Sequence, residues 1–157
     1  VREDAPALLR GEARRKAEVV AGVSVLFEEF VARLSAPLPL VAGPAQVLLH
    51  GHCHQRSMGL VPPAKALLSR IPGVIVVDAE AGCCGMAGSF GYGRDHYDVS
   101  KAIGERRLFP AVRGRDANTV VVAAGTSCRH QIHDFTGAEA VHPAVLLGSL
   151  LPEGSRT

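Results

Sequence analysis

From residue 45 onward the chain alternates short apolar runs with longer amphipathic stretches, and that alternation admits few folds. The runs lie at 45–50, 74–78, 119–124 and 138–141, and helical spacing follows them around 64–69, over 97–112, from about 127 and over 143–150. Runs such as Val74-Ile75-Val76-Val77 are apolar at every position, which suits strands covered by helices on both faces. The expected architecture is α/β: a four-stranded parallel sheet with flanking helices, Rossmann-like, within residues 45–151. Parallel strands put all their carboxyl ends on one edge, and open α/β sheets hold ligands there.

The stretch before this repeat has a different character. Val19, Val20, Val23, Leu26, Phe27, Phe30, Val31 and Leu34 recur near the helical period, so one long helix or two shorter ones are expected in an N-terminal helical segment over 1–36. Glu28 and Glu29 read as the solvated face of that helix. Pro37, Pro39 and Pro44 then end it and lead into the first strand. A start at Val1, inside a charged helix-like stretch, reads as a piece of a longer polypeptide.

All four cysteines fall just past strand ends: Cys53 after the first run, Cys83 and Cys84 after the second, Cys128 after the third. The proposed parallel edge would bring them together, with His142 at the end of the fourth run. Thiolates are soft ligands that favour iron-sulfur clusters and zinc, both of which need about four converging donors. Cys128 sits at a helix start, where the helix dipole favours the thiolate. Gly82, Gly85 and Gly88 leave room for the backbone to turn and approach a bulky inorganic group. His52 and His54 flank Cys53 on opposite sides of a segment read as extended, so one of them, His54, is placed as a hydrogen-bond donor to a cluster sulfur. The alternatives are a zinc or empty thiol site with a structural or interaction role, and a redox-active Cys83-Cys84 pair. Cysteine as a small apolar core filler is the plain reading of any single one of them.

A chain of 157 residues with 47% apolar content needs no disulfide staples, so reduced thiols in a cytoplasmic setting, with at most peripheral membrane contact, are expected. The net charge of +2, with both signs interspersed, offers no stripe for nucleic acid. No apolar run reaches the roughly 20 residues that span a bilayer. The glycines of 85–93 lack the Lys-Ser/Thr ending of a phosphate loop.

Three stretches carry a family resemblance: Gly51-His52-Cys53-His54-Gln55, Ala81-Gly82-Cys83-Cys84-Gly85-Met86-Ala87-Gly88-Ser89-Phe90-Gly91, and Gly125-Thr126-Ser127-Cys128-Arg129-His130-Gln131-Ile132. They resemble the cysteine-rich CCG domain, which occurs in one of the subunits of heterodisulfide reductase, in the membrane-anchor subunit of anaerobic glycerol-3-phosphate dehydrogenase, and at the C-terminus of FAD-linked oxidases of the D-lactate and D-2-hydroxyglutarate dehydrogenase kind. The wording around Cys83 and Cys128 is most similar to the last group. The resemblance implies a C-terminal electron-transfer module of an FAD-linked oxidoreductase acting on a 2-hydroxy acid. Its centre would be a 4Fe-4S cluster held by Cys53, Cys83, Cys84 and Cys128, or zinc, with Gly82, Gly85 and His54 beside it. FAD-binding and ferredoxin-like domains would lie elsewhere in the full-length chain, with substrate oxidation at the flavin. Residues 1–36 would be the tail of a preceding CCG unit. One departure stands out: the family pattern ends in Cys-x-x-Cys, and Gly125 occupies the first of those positions. Five cysteines become four.

Overall fold

A computed structural model of the chain describes residues 1–34 and 36–155. The apolar runs pair as β1 (Gln46–His50), β2 (Ile75–Asp78), β3 (Thr119–Ala123) and β4 (Ala140–Val141). Among the described residues they form one sheet of order β2-β1-β3-β4, and every pairing is parallel. The expected α/β architecture is present. β1 has β2 on one side and β3 on the other, so the direction of winding reverses between them, and a crevice opens at the carboxyl ends of β1 and β3. There His50 is level with Ala123.

Alternation along β1 divides the core. Val47 and Leu49 face one side, where Val61, Ala64, Leu67 and Leu68 of α5 (Val61–Leu68), Leu146 and Leu147 of α9 (Pro143–Ser149) and Val31 of α3 (Phe27–Arg33) bury them. Leu48 faces the other side, against Leu108, Phe109 and Val112 of α7 (Leu108–Arg113) and Ile132 of α8 (Thr126–Thr136). Each large side chain buried in this way contributes roughly 2 kcal/mol. Pro62 and Pro63 fall in the first turn of α5, where a missing N–H breaks no hydrogen bond.

Three expectations are corrected. The stretch 97–112 is two helices, α6 (Tyr97–Glu105) and α7, because Pro110 can neither donate to residue 106 nor clear its carbonyl; restarting at Leu108 puts the proline in a first turn. The N-terminal segment forms α1 (Asp4–Leu8), α2 (Gly11–Val23) and α3, with an extended break at Ser24 to Leu26. β2 is an edge strand and is covered on one face only: Ile75 is 63% and Val77 39% exposed on the side of Leu48, beyond the reach of α7 and α8. No helix of the described residues is long and apolar enough to cross a membrane.

The turn between α6 and α7 is closed by Phe109, fully buried, whose ring lies where a Cβ on Gly104 would be. Gly104→Ala should therefore lower stability by about 1–3 kcal/mol through overpacking, despite a gain of about 1 kcal/mol in helix propensity. Urea unfolding measures the difference. An unchanged or higher midpoint would show that the ring moves freely.

Candidate metal centre at the carboxyl edge of the sheet

The crevice between β1 and β3 gathers three buried donors. His50 is the last residue of β1 and shares the face of Leu48; it is 1% exposed, and among the described residues neither ring nitrogen makes a well-formed hydrogen bond. Cys128 lies in the first turn of α8, whose N-cap is Gly125, and is also 1% exposed. Cys84 comes from the loop after β2. The ligating atoms of His50, Cys84 and Cys128 all lie within 4.8 Å of one another. Such proximity of two sulfurs and a partnerless imidazole fits a bound metal ion.

Cys83 and Cys53 stand on the open side of this group. Cys83 is half-buried and Cys53 exposed, and their thiols are close enough to hydrogen-bond. Charge on either reaches Cys128, so all four cysteines share one neighbourhood. Backbone amides point at the sulfurs: Gly85 N–H donates to Cys83 Sγ at 3.3 Å, and the Met86 amide donates to Cys84. Amide donors of this kind stabilise ligating thiolates. Burial, then the nearby Cys83, push the Cys53 thiol up, against the pull of the His54 amide.

Cys84 and Cys128 behave as one pair. The Cys128 thiol donates to Cys84, which with help from His50 and the Met86 amide overcomes burial and pulls Cys84 down to about 4. The same bond, with burial and the surrounding sulfurs, drives Cys128 far above the ordinary thiol range. One proton is shared between two sulfurs.

Two clamps hold the loops that carry the cysteines. Arg56 of α4 (Cys53–Ser57) grips Asp78 at the end of β2 with bonds of 2.7 and 3.0 Å, joining the Cys53 helix to the strand that feeds Cys83. Burial raises Asp78, but Arg56 and the Glu80 amide outweigh it and keep the carboxylate ionised. Below the cysteine loop, buried Gln131 donates to Ser100 Oγ at 2.7 Å. Gly85 sits against that pair with φ +99°, where a Cβ would overlap the Ser100 carbonyl oxygen. Gly82 has open space around it and lines a smaller cavity of about 350 Å³ with Cys83, Arg106 and Arg107.

The histidines are sorted by the fold in a way that spacing did not reveal. Residues 52–54 are not an extended segment: His52 caps α4, its Nδ1 accepting from the His54 amide at 3.2 Å, and Cys53 opens the helix. A side-chain acceptor at the N-cap satisfies one of the free amides of the first turn, and the His52 ring supplies it here. His52 turns inward and burial holds its pKa below the ordinary value. His54 turns outward, 58% exposed and 3.8 Å from Glu3. His130 pairs with the Tyr92 hydroxyl and His133 with Glu139, each at the surface. His142 caps α9. His50, the histidine that joins the cysteines, was legible only as a polar residue ending a wholly apolar strand.

Gly125 faces the same centre. A Cβ there would stand 3.0 Å from Cys128 Sγ and 2.5 Å from His52 Cδ2, so the His52 ring fills the space of the missing side chain.

Similarity to known proteins covers most of the chain. Over 114 residues, 73% of the chain, it is 36% identical to one of the subunits of anaerobic glycerol-3-phosphate dehydrogenase from Escherichia coli K12. Over 115 residues it is 30% identical to D-2-hydroxyglutarate dehydrogenase of the same strain, and over 106 residues 28% identical to that of Pseudomonas putida. The chain is thus homologous to segments of both kinds of dehydrogenase. It spans 28% of the length of the first and 11% and 10% of the other two. No family model and no solved structure matches it.

The shared proton gives a titration that can be read without metal. With Cys84 held low and Cys128 held high, the reduced chain should show one thiolate by ultraviolet absorbance at about pH 6, where ordinary cysteines are protonated. That thiolate should disappear on acidification through about pH 4. Cys84→Ser should abolish the low step and Cys53→Ser should leave it in place. Absence of the step in the unmodified chain would show that the two buried sulfurs are not in contact.

Proposed function

We propose that this chain is the metal-binding, electron-transfer module of a larger FAD-linked oxidoreductase, built on a CCG-type cysteine site. The observation that carries the reading is the convergence of Cys84, Cys128 and His50 at the switch point of the sheet, with Cys53 and Cys83 adjoining. Homology to dehydrogenases and to a dehydrogenase subunit supports the oxidoreductase setting, and the small share of each relative that the chain spans supports a module.

Cys53, Cys83, Cys84 and Cys128 would hold an iron-sulfur centre, which when bound supplies one-electron transfer. The residues of the chain set its conditions. The Gly85 and Met86 amides would stabilise the thiolates, and His50 would lie against the centre as a further donor. Gly82 keeps the Cys83 side open, and His54 sits at the rim. Electrons would arrive from a flavin domain elsewhere in the full-length protein, where a 2-hydroxy acid such as D-lactate or D-2-hydroxyglutarate would be oxidised. In that reading residues 1–36 are the end of a preceding unit and 45–151 form the cysteine domain.

A second reading rests on the tightness of the buried group. Ligands about 2.3 Å from one tetrahedral ion lie about 3.8 Å apart. Donor atoms within 4.8 Å of one another therefore suit a single zinc ion on His50, Cys84 and Cys128. Zinc would stabilise the edge and carry no electrons.

Anaerobic reconstitution with ferrous iron and sulfide should give a brown protein with about four irons per chain. Cys84→Ser should reduce the iron at least about fivefold, because a hydroxyl is a poor partner for soft metals. Cys53→Ser separates the two readings: it removes a cluster ligand, yet leaves a zinc triad intact. A colourless chain that binds one zinc ion with the same affinity in both forms would overturn the electron-transfer reading.

A further inference from the structure

Most polar groups around the carboxyl edge find partners. Arg56 holds Asp78, Gln131 holds Ser100, and Arg129 donates to the Ala123 and Ala124 carbonyls. His50 is different: it is 1% exposed, and among the described residues neither ring nitrogen makes a well-formed hydrogen bond. Burial strips an imidazole of water, and a ring without a partner has lost that hydration for nothing. Its backbone holds it there, because His50 pairs with Ala123 where β1 and β3 end. What the ring has within reach is sulfur, since its ligating nitrogen, Cys84 Sγ and Cys128 Sγ lie within 4.8 Å of one another. A neutral imidazole binds iron or zinc through its unprotonated nitrogen, and a metal among these atoms would be the missing partner.

Two neighbours do not compete for that position. Position 125 faces the centre, since a Cβ there would stand 3.0 Å from Cys128 Sγ, but as glycine it offers no ligand. The His52 ring fills the space beside it. His52 Nδ1 accepts from the His54 amide at 3.2 Å, so the proton of the neutral ring is on Nε2 and neither nitrogen has a lone pair to spare.

We infer that His50 binds the metal directly, as a nitrogen ligand beside Cys53, Cys83, Cys84 and Cys128, and that in an iron-sulfur form it raises the potential of the centre. His50 ligation rests on the reading that this edge holds a metal, and adds to it the direction of electron flow. A thiolate ligand carries a negative charge that opposes the arrival of an electron, whereas a neutral imidazole does not. Histidine in place of cysteine raises the potential of Rieske centres. A nitrogen-ligated centre would draw electrons from the flavin and pass them to an oxidising acceptor, and would be a poor donor to low-potential carriers.

The test uses the chain with all seven histidines labelled with nitrogen-15, reconstituted anaerobically with ferrous iron and sulfide. Electron-nuclear double resonance of the paramagnetic centre should show a nitrogen coupling that follows the isotope. The coupling should vanish in His50→Ala and persist in His52→Ala. At one fixed solution potential, His50→Cys should lower the ratio of reduced to oxidised centre at least about tenfold, a downward shift of about 59 mV for one electron. A centre without nitrogen coupling, a coupling that survives His50→Ala, or an unchanged ratio in His50→Cys would overturn the inference and leave the metal reading standing. Should the variants fail to fold, the isotope comparison on the unmodified chain decides alone. If the chain takes up zinc and no cluster, the His50 ring nitrogens should shift in the nitrogen-15 NMR spectrum on zinc binding, and unmoved resonances would count against ligation. A chain that binds neither metal would overturn the metal reading itself, and His50 ligation with it.

Discussion

Parallel pairing of β1 with β3 is the constraint on which the remaining features rest. The register sets His50 level with Ala123, so both strands end at one height and their following turns leave from the same crevice. Alternation along β1 then sends Leu49 into one core and His50 toward the sulfurs. A slip of one residue would reverse this, burying His50 among α5 and α9 and turning Leu49 to the cysteines. Hydrophobic packing on both faces holds the register, and the site inherits its geometry from that packing.

Such a site runs against the ordinary rules of a core. A partnerless imidazole occupies a position that would otherwise hold leucine, and it opposes folding until something binds. The opposition is met nearby. Arg56 and Asp78 lock the first two loops together, Gln131 and Ser100 support the cysteine loop from below, and Arg129 donates to the carbonyls of Ala123 and Ala124 where β3 ends. The cysteine loop itself is held in unusual backbone conformations, with Gly85, Ala87 and Gly88 all at positive φ. Local strain of this kind persists where the surroundings over-determine it, and it is concentrated at functional sites.

The N-terminal helices have two parts in this arrangement. Val31 of α3 completes the core beneath α5, and Arg70 donates to the Val31 carbonyl at 3.4 Å. The turn before α3 roofs the face of the crevice that carries His52 and Gly125, and it buries Glu28 there. His52 thus stands between two environments, its ring against the position beside Cys128 on one side and the cavity on the other.

What the sequence determined by itself is the set of elements and the edge at which chemistry collects. Wholly apolar runs alternating with helical spacing point to a parallel sheet, and cysteines placed after three successive runs then share an edge whatever the strand order. Local periodicity carries that much because it depends only on neighbours a few residues apart. The tertiary structure decided the rest. The exposure of Ile75 and Val77 follows from β2 lying at the edge, and the helix opened by Cys53 follows from the cap that His52 forms. His50 became part of the site, and Glu28 left the solvated face, because of segments distant in the chain that close over them. Burial and partnership of a polar group depend on what packs against it, and no local pattern encodes that.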